Sequence, residues 1–339
     1  MTGPAPAAAT RRMGLAGRLL LACCLIGLWL TFDAGAQQRD PLQRIGHTVA
    51  DDPPGHYRFE SLLAASADGS RRWRVRIAIP QAQAPATGFP SFWMLDGNAA
   101  LVEFDQALLA GLAARPRPPV LVFLGHDNDL RIDGPARIHD YSFIGAGGDG
   151  MSGGGGADVF LDTIGQHIGP AVAARAALDP QDRTLWGHSL GGLFVLHALY
   201  TRPGLFQAHA AGSPSLWWAG GALLGTPERD FLARGGQPPA RLVIGLGEAE
   251  RRRDTRNRNL DDPRVREHLR RVAAAPPDAH AALARRLATV PGLEVDYREF
   301  PGLGHGPMFR ASLMDALHRF TGVTDRSATP RPAPYQDAP

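Results

Sequence analysis

Thr184-Leu185-Trp186-Gly187-His188-Ser189-Leu190-Gly191-Gly192, followed by Leu193-Phe194-Val195-Leu196-His197-Ala198-Leu199, reads as a strand, a sharp turn and a helix. The turn has the pattern G-x-S-x-G, with Ser189 at its apex. A nucleophilic serine needs such a turn, because its hydroxyl must stand above the end of a sheet on a strained backbone. Strand and helix pass close together there, so Gly187 and Gly191 carry no Cβ, and Gly192 lets the new helix pack tightly. The N–H of Leu190 then lies at a helix N-terminus, aimed at a developing oxyanion. A glycine-rich chain produces G-x-S-x-G by chance, as a plain Gly-Ser turn. The weight comes from the apolar run before it and the apolar-periodic helix after it. His188, inside the motif, points the wrong way to be the base and reads as a loop-lining residue.

Strands and helices alternate on both sides of this turn. In Arg71 to Pro80, the residues Trp73, Val75, Ile77 and Ile79 share one face, as in a half-buried antiparallel strand. Phe92 to Leu95 and Val120 to Gly125 are continuous apolar runs that read as buried central strands. Ala208 to Gly212, Ala240 to Gly245 and Leu293 to Phe300 continue the series. Helices are expected at about 99–114, 157–177 and 309–321, and over 264–290 with a break at Pro276-Pro277. The stretch His126 to Gly156 reads as one long polar, Gly-rich loop, and long loops in compact domains are usually functional. Buried strands alternating with helices imply an α/β fold, with a mainly parallel central sheet and helices on both faces. Its active site lies at the carboxyl ends of the strands.

The chain has 339 residues, 44% of them hydrophobic and 20% charged, which suits one large globular domain. The formal net charge of +3 is too small to argue for nucleic acid as a partner. Arg11, Arg12 and Arg18, the apolar run Leu19 to Leu30, and the small-x-small Ala34-Gly35-Ala36 read as a cleaved export signal over residues 1–36. The run is short for a bilayer span, so no stable membrane anchor is expected after cleavage. Cleavage also removes Cys23 and Cys24, the only cysteines, leaving no disulfide, no thiolate metal site and no Cys nucleophile. The globular α/β domain is expected at 37–323, and the Pro-rich tail at 324–339 reads as disordered.

A general base following the order Ser, acid, His must come late in the chain. His305 does, in a Gly-flanked turn just after the last expected strand. Glu250 and Glu248, after the strand ending at Gly245, stand where an acid is expected; Asp254, or no acid at all, are the alternatives. The second oxyanion donor should come from a backbone N–H after an early central strand, and Gly97 or Asn98, after Leu95-Asp96, fills that position. No metal site is expected.

Met94-Leu95-Asp96-Gly97-Asn98-Ala99, Gly155-Gly156-Ala157-Asp158, the Ser189 turn and Leu303-Gly304-His305-Gly306-Pro307-Met308-Phe309 resemble the esterase-D-type α/β-hydrolases. More narrowly, they resemble the periplasmic enterobactin/salmochelin esterases of Gram-negative bacteria, over about residues 90–320. The resemblance implies hydrolysis of the trilactone of a catecholate siderophore in the periplasm, with Ser189 and His305 in the matching positions. It implies no cofactor, iron entering only with the substrate. Members of this group are described as using a Ser–His pair without the usual acid, so the resemblance leaves dyad or triad open here. A ferric tris-catecholate is anionic and flat-ringed, which suits arginine and aromatic side chains. Arg137 is the first candidate ligand, with a salt bridge to Asp140 as its alternative reading. Trp217 and Trp218 are candidate ring platforms, with a packed cap as theirs. The rival functions are a generic secreted carboxylesterase on the same fold, and a siderophore-binding protein with a degenerate site.

Overall fold

The computed structural model describes Gly3 and residues 42–144, 153–253, 255 and 259–322. The expected export signal, the Pro-rich tail and Asp254 lie outside the described residues.

Eight strands form one sheet: β1 (Tyr57–Ala65), β2 (Arg72–Pro80), β3 (Phe89–Met94), β4 (Val120–His126), β5 (Leu178–His188), β6 (Ala208–Gly212), β7 (Ala240–Gly247) and β8 (Leu293–Phe300). Their spatial order is β1-β2-β4-β3-β5-β6-β7-β8. β1 pairs antiparallel with β2 and β2 antiparallel with β4, while every pairing from β4 through β8 is parallel. The strands alternate their side chains between two cores, as the period of two requires. Trp73, Val75, Ile77, Val122, Leu124 and Leu185 point to one face, under the helices Ala157–Thr163, Leu190–Thr201 and Ala279–Leu287. Phe92, Met94, Leu121, Phe123 and Trp186 point to the other, under Gly97–Val102, Gln106–Ala113 and Met308–Thr321. Every residue from Leu190 to Tyr200 is buried, so the helix after Ser189 is the central helix of its layer.

The structure departs from the sequence reading in four places. β1 was not expected; it is an edge strand with alternating half-exposed residues, so its apolar signal is diluted. The helix expected over 99–114 is two helices, because Asp105 takes an extended backbone and caps the second through Leu108 N–H at 2.8 Å. The helix expected over 157–177 ends at Ala173 and contains a π-turn at Ile164–Ile168. The loop expected over 126–156 contains the helix Gly134–Tyr141, capped by Asp133 through Ala136 N–H at 2.9 Å, with Pro135 in its first turn. Proline at that place starts a helix, because its missing N–H costs nothing there. Among the described residues, no helix is long and apolar enough to cross a membrane.

Candidate active site

β5 runs straight into the turn at Ser189, whose backbone sits at φ 61°, ψ −117°. A serine pays for that conformation in strain, and it persists because its neighbours hold it. Ser189 N–H donates to Gly212 O at 2.8 Å, and its carbonyl accepts from Leu193 and Ser215 N–H at 3.0 and 3.1 Å. Gly187 is obligatory: a Cβ there would lie 2.5 Å from the backbone of Gly191. At Gly191 a Cβ would meet only ordinary contacts, 3.5 Å from Leu95, so the tight approach expected of both glycines belongs to Gly187.

His305, in the loop between β8 and the helix Met308–Thr321, brings Nε2 to 3.0 Å from Ser189 Oγ. Its Nδ1 lies 2.6 Å from Oε2 of Glu250. The other carboxylate oxygen of Glu250 accepts from Ser213 Oγ at 2.6 Å and from Gly247 N–H at 3.0 Å. Burial pushes the Glu250 carboxyl up, but His305 beside it and the bonds from His305, Ser213 and Gly247 outweigh that, and its pKa lies below the ordinary value. An ionised acceptor on Nδ1 makes that nitrogen the donor and leaves Nε2 free to accept the serine proton. Glu248 points elsewhere, pairing with Arg252 and accepting from Gly302 N–H at 3.1 Å.

His188 differs from its expected role. It is buried, with its ring 4.6 Å from that of His305 and 5.6 Å from that of Phe309, so it forms a wall behind the imidazole.

The turn after β3 faces Ser189 from the neighbouring strand. Gly97 opens the helix Gly97–Val102, so the first N–H groups of that helix have no intrahelical acceptor. A Cβ on Gly97 would lie 2.6 Å from the backbone of Leu124, which only glycine avoids. The Asn98 side chain is spent on structure: Nδ2 donates to the carbonyls of Asn128 and Leu130 at 2.9 and 2.8 Å, and Oδ1 accepts from Arg76 at 2.6 Å. Only the backbone of Asn98 is left to face a substrate.

Arg137 does not pair with Asp140. Its Nε and Nη2 form a fork on Asp96 at 3.1 and 3.0 Å, and Nη2 also donates to His188 O at 3.3 Å. The guanidinium therefore ties the turn before Gly97 to the residue before Ser189, and the side chain keeps 14% of its exposure. Asp96 sits at φ 50°, with its N–H on Tyr141 Oη at 2.8 Å. Asp140 instead holds Arg71, Trp73, His126 and His139. Trp218 is also corrected: it is 1% exposed, with its indole N–H on Phe143 O at 3.2 Å, and is a core residue with no face for a ligand. Trp217 is half-buried, its ring 5.4 Å from that of His268.

Ser213 and Ser215, not among the expected site residues, also stand in the site: Ser213 Oγ lies 2.6 Å from Glu250 and Ser215 Oγ 3.2 Å from Ser189 Oγ. The available signal was their position, two hydroxyls directly after a buried strand at its carboxyl end.

A serine on a strained strand-to-helix turn, joined through a histidine to a carboxylate at the carboxyl ends of a parallel sheet, makes this an α/β-hydrolase. The family model described as "Putative esterase" matches residues 66–320. The chain belongs to that esterase family and is an ester-cleaving enzyme. It is 32% identical over 306 residues to the apo-salmochelin esterase of Escherichia coli O6:H1, covering 87% of this chain and 89% of the relative. It is 27% identical to the ferri-bacillibactin esterase of Bacillus subtilis, over 73% of this chain and 83% of the relative. Among solved structures, the enterobactin and salmochelin hydrolase IroE superposes with a TM-score of 0.60 at 31% identity, over 81% of this chain and 99% of that one. The siderophore hydrolase EstB from Aspergillus nidulans gives 0.65 at 26% identity, over 77% and 94%.

Proposed function

We propose that the protein hydrolyses the ester bonds of a catecholate siderophore, such as the trilactone of enterobactin, through an acyl-enzyme on Ser189. The carrying observation is the chain of contacts from Ser189 Oγ through His305 to Glu250, at 3.0 and 2.6 Å. Ser189 attacks the lactone carbonyl while His305 takes its proton. The N–H groups of Leu190 and of Gly97 or Asn98 hold the oxyanion. His305 returns the proton to the leaving alkoxide, then draws one from the water that frees the acyl group. Glu250 keeps the imidazole in the accepting tautomer and stabilises its charged form. The relatives named for apo-salmochelin and ferri-bacillibactin support siderophore esters as the substrate class, across both iron-free and iron-loaded forms. Trp217 is the aromatic side chain proposed to meet a catechol ring. The apolar run Leu19 to Leu30, preceded by Arg18, and the Ala34-Gly35-Ala36 site support export to the periplasm.

The test is chromatography of products after mixing the protein with ferric and iron-free enterobactin, beside a Ser189→Ala control. Linear trimer, dimer or monomer of dihydroxybenzoylserine is expected, with turnover down by roughly three orders of magnitude or more in the control. No cleavage of either form, with p-nitrophenyl esters still cleaved, would leave a generic carboxylesterase.

A further inference from the structure

The turn Ser213-Pro214-Ser215 reaches both ends of the Ser189–His305–Glu250 chain, and its second hydroxyl has no role in the mechanism above. Ser215 Oγ lies 3.2 Å from Ser189 Oγ. Ser213 Oγ lies 2.6 Å from Glu250. Both serines are buried.

The turn is held firmly. Ser213 sits at φ 41°, with its N–H on Gly245 O at 2.8 Å, and Ser215 N–H donates to Ser189 O at 3.1 Å. Pro214 stiffens the centre, and its carbonyl accepts from His280 Nε2 at 2.9 Å. A Cβ on Gly192 would come within 3.0 Å of Pro214 Cα, so the turn is wedged against the start of the helix after Ser189.

Donor accounting gives every proton in this cluster a direction. The Glu250 carboxylate only accepts, so Ser213 O–H and His305 Nδ1–H both donate to it. Neutral His305 then has Nε2 as an acceptor, and the one proton of Ser189 goes there. The contact between the two hydroxyls is therefore made by the Ser215 proton, with Ser189 Oγ accepting.

We propose that Ser215 is a further catalytic residue, a hydroxyl that donates to Ser189 Oγ and stabilises the charge developing on it. This rests on the Ser189 mechanism above. As the Ser189 proton passes to His305 Nε2, the Oγ–C bond forms and the carbonyl π pair moves onto oxygen. The charge on Oγ is greatest midway, and a hydrogen bond to a charged acceptor is about twice as strong as a neutral one. In deacylation the same Oγ leaves as the carbonyl re-forms, and Ser215 again donates to the departing oxygen. Its proton is never transferred.

The test measures inactivation by a fluorophosphonate, which needs no siderophore pocket. Ser189 Oγ bonds to phosphorus, the P–F bond breaks, fluoride leaves, and the Ser189 proton goes to His305. Ser215→Ala and Ser215→Cys bracket the volume of serine, and neither supplies a good donor. Both are expected to slow inactivation by about tenfold to a hundredfold, with unchanged folding by circular dichroism. The pH profile of inactivation is expected to keep its shape while its plateau drops. Labelling of either variant at the wild-type rate would overturn the proposal. So would a Cys variant that recovers the rate, which would make the effect one of packing, or a pH profile of altered shape, which would mean that the substitution had disturbed the rest of the site. A wild-type protein that takes no label at Ser189 would instead bring down the Ser189 mechanism itself.

Discussion

Glu250→Gln keeps the shape of the third residue and removes its charge. In the wild type, Oε1 accepts from Ser213 at 2.6 Å and from Gly247 N–H at 3.0 Å, while Oε2 accepts from His305 at 2.6 Å. Glutamine has one oxygen, and two donors hold it on the Ser213 side, so its NH2 group faces Nδ1. A donor there turns His305 into the tautomer with Nε2–H, which has nothing with which to accept the Ser189 proton. The lost charge adds to this. For charge centres about 4 Å apart at an effective dielectric near 20, the attraction between the imidazolium and the carboxylate is about 4 kcal/mol, roughly three orders of magnitude in rate. Together the two effects predict a kcat on p-nitrophenyl acetate lower by roughly three to four orders of magnitude, with KM little changed. Steady-state hydrolysis at pH 8 measures this, with thermal melting to check the fold. A variant within about tenfold of wild type would refute the reasoning and make the site a Ser–His pair that works without its carboxylate.

Arg137→Ala is expected to lower kcat on a small neutral ester and on the siderophore alike, because its fork on Asp96 and its bond to His188 O tie the turn before Gly97 to the residue before Ser189. A rise in KM for the siderophore alone, seen in parallel kinetics on the two substrates, would make it a substrate ligand instead. Burial pushes the His209 imidazole down from 6.5 to about 4, so the folded chain holds it neutral where the unfolded chain protonates it. Its contribution is fully present above pH 6.5 and is lost as the pH falls toward 4, a loss on the order of 3 kcal/mol. Urea midpoints at pH 7 and pH 4.5 are expected to differ less in His209→Leu than in wild type; equal differences would contradict this.

The local backbone carried by contiguous residues was legible in the sequence. The Ser189 turn depends on glycines two positions away and on the apolar strand and helix that flank it. The candidacy of His305 follows from chain order, Ser then acid then His, which puts the base on the loop after the last strand. β2 was readable because its face of Trp73, Val75, Ile77 and Ile79 is fully buried, whereas the edge position of β1 leaves half of its alternation in water. The helix Gly134–Tyr141 was hidden by its own start signal, a Gly-Pro pair that also marks loops.

Other choices belonged to the tertiary structure. Glu248 and Glu250 lie on one turn of chain with the same chemistry, and only the direction of that turn sends one to His305 and the other to Arg252 and Gly302. Asp96 and Asp140 both lie within reach of a long arginine, and the fold chose the partner 41 residues away over the one three residues away. Trp217 and Trp218 are identical in type, yet Trp218 is buried in the core and Trp217 only half-buried at its margin. The hydroxyl of Ser215 meets that of Ser189 across 26 residues, because β5 and β6 are neighbours in the sheet and end at the same level. Sequence determines which groups a site has to draw on, because local backbone preference and burial pattern are short-ranged. Which of them meet is a matter of distances set by strand order and register, to which residues far apart in the chain contribute equally.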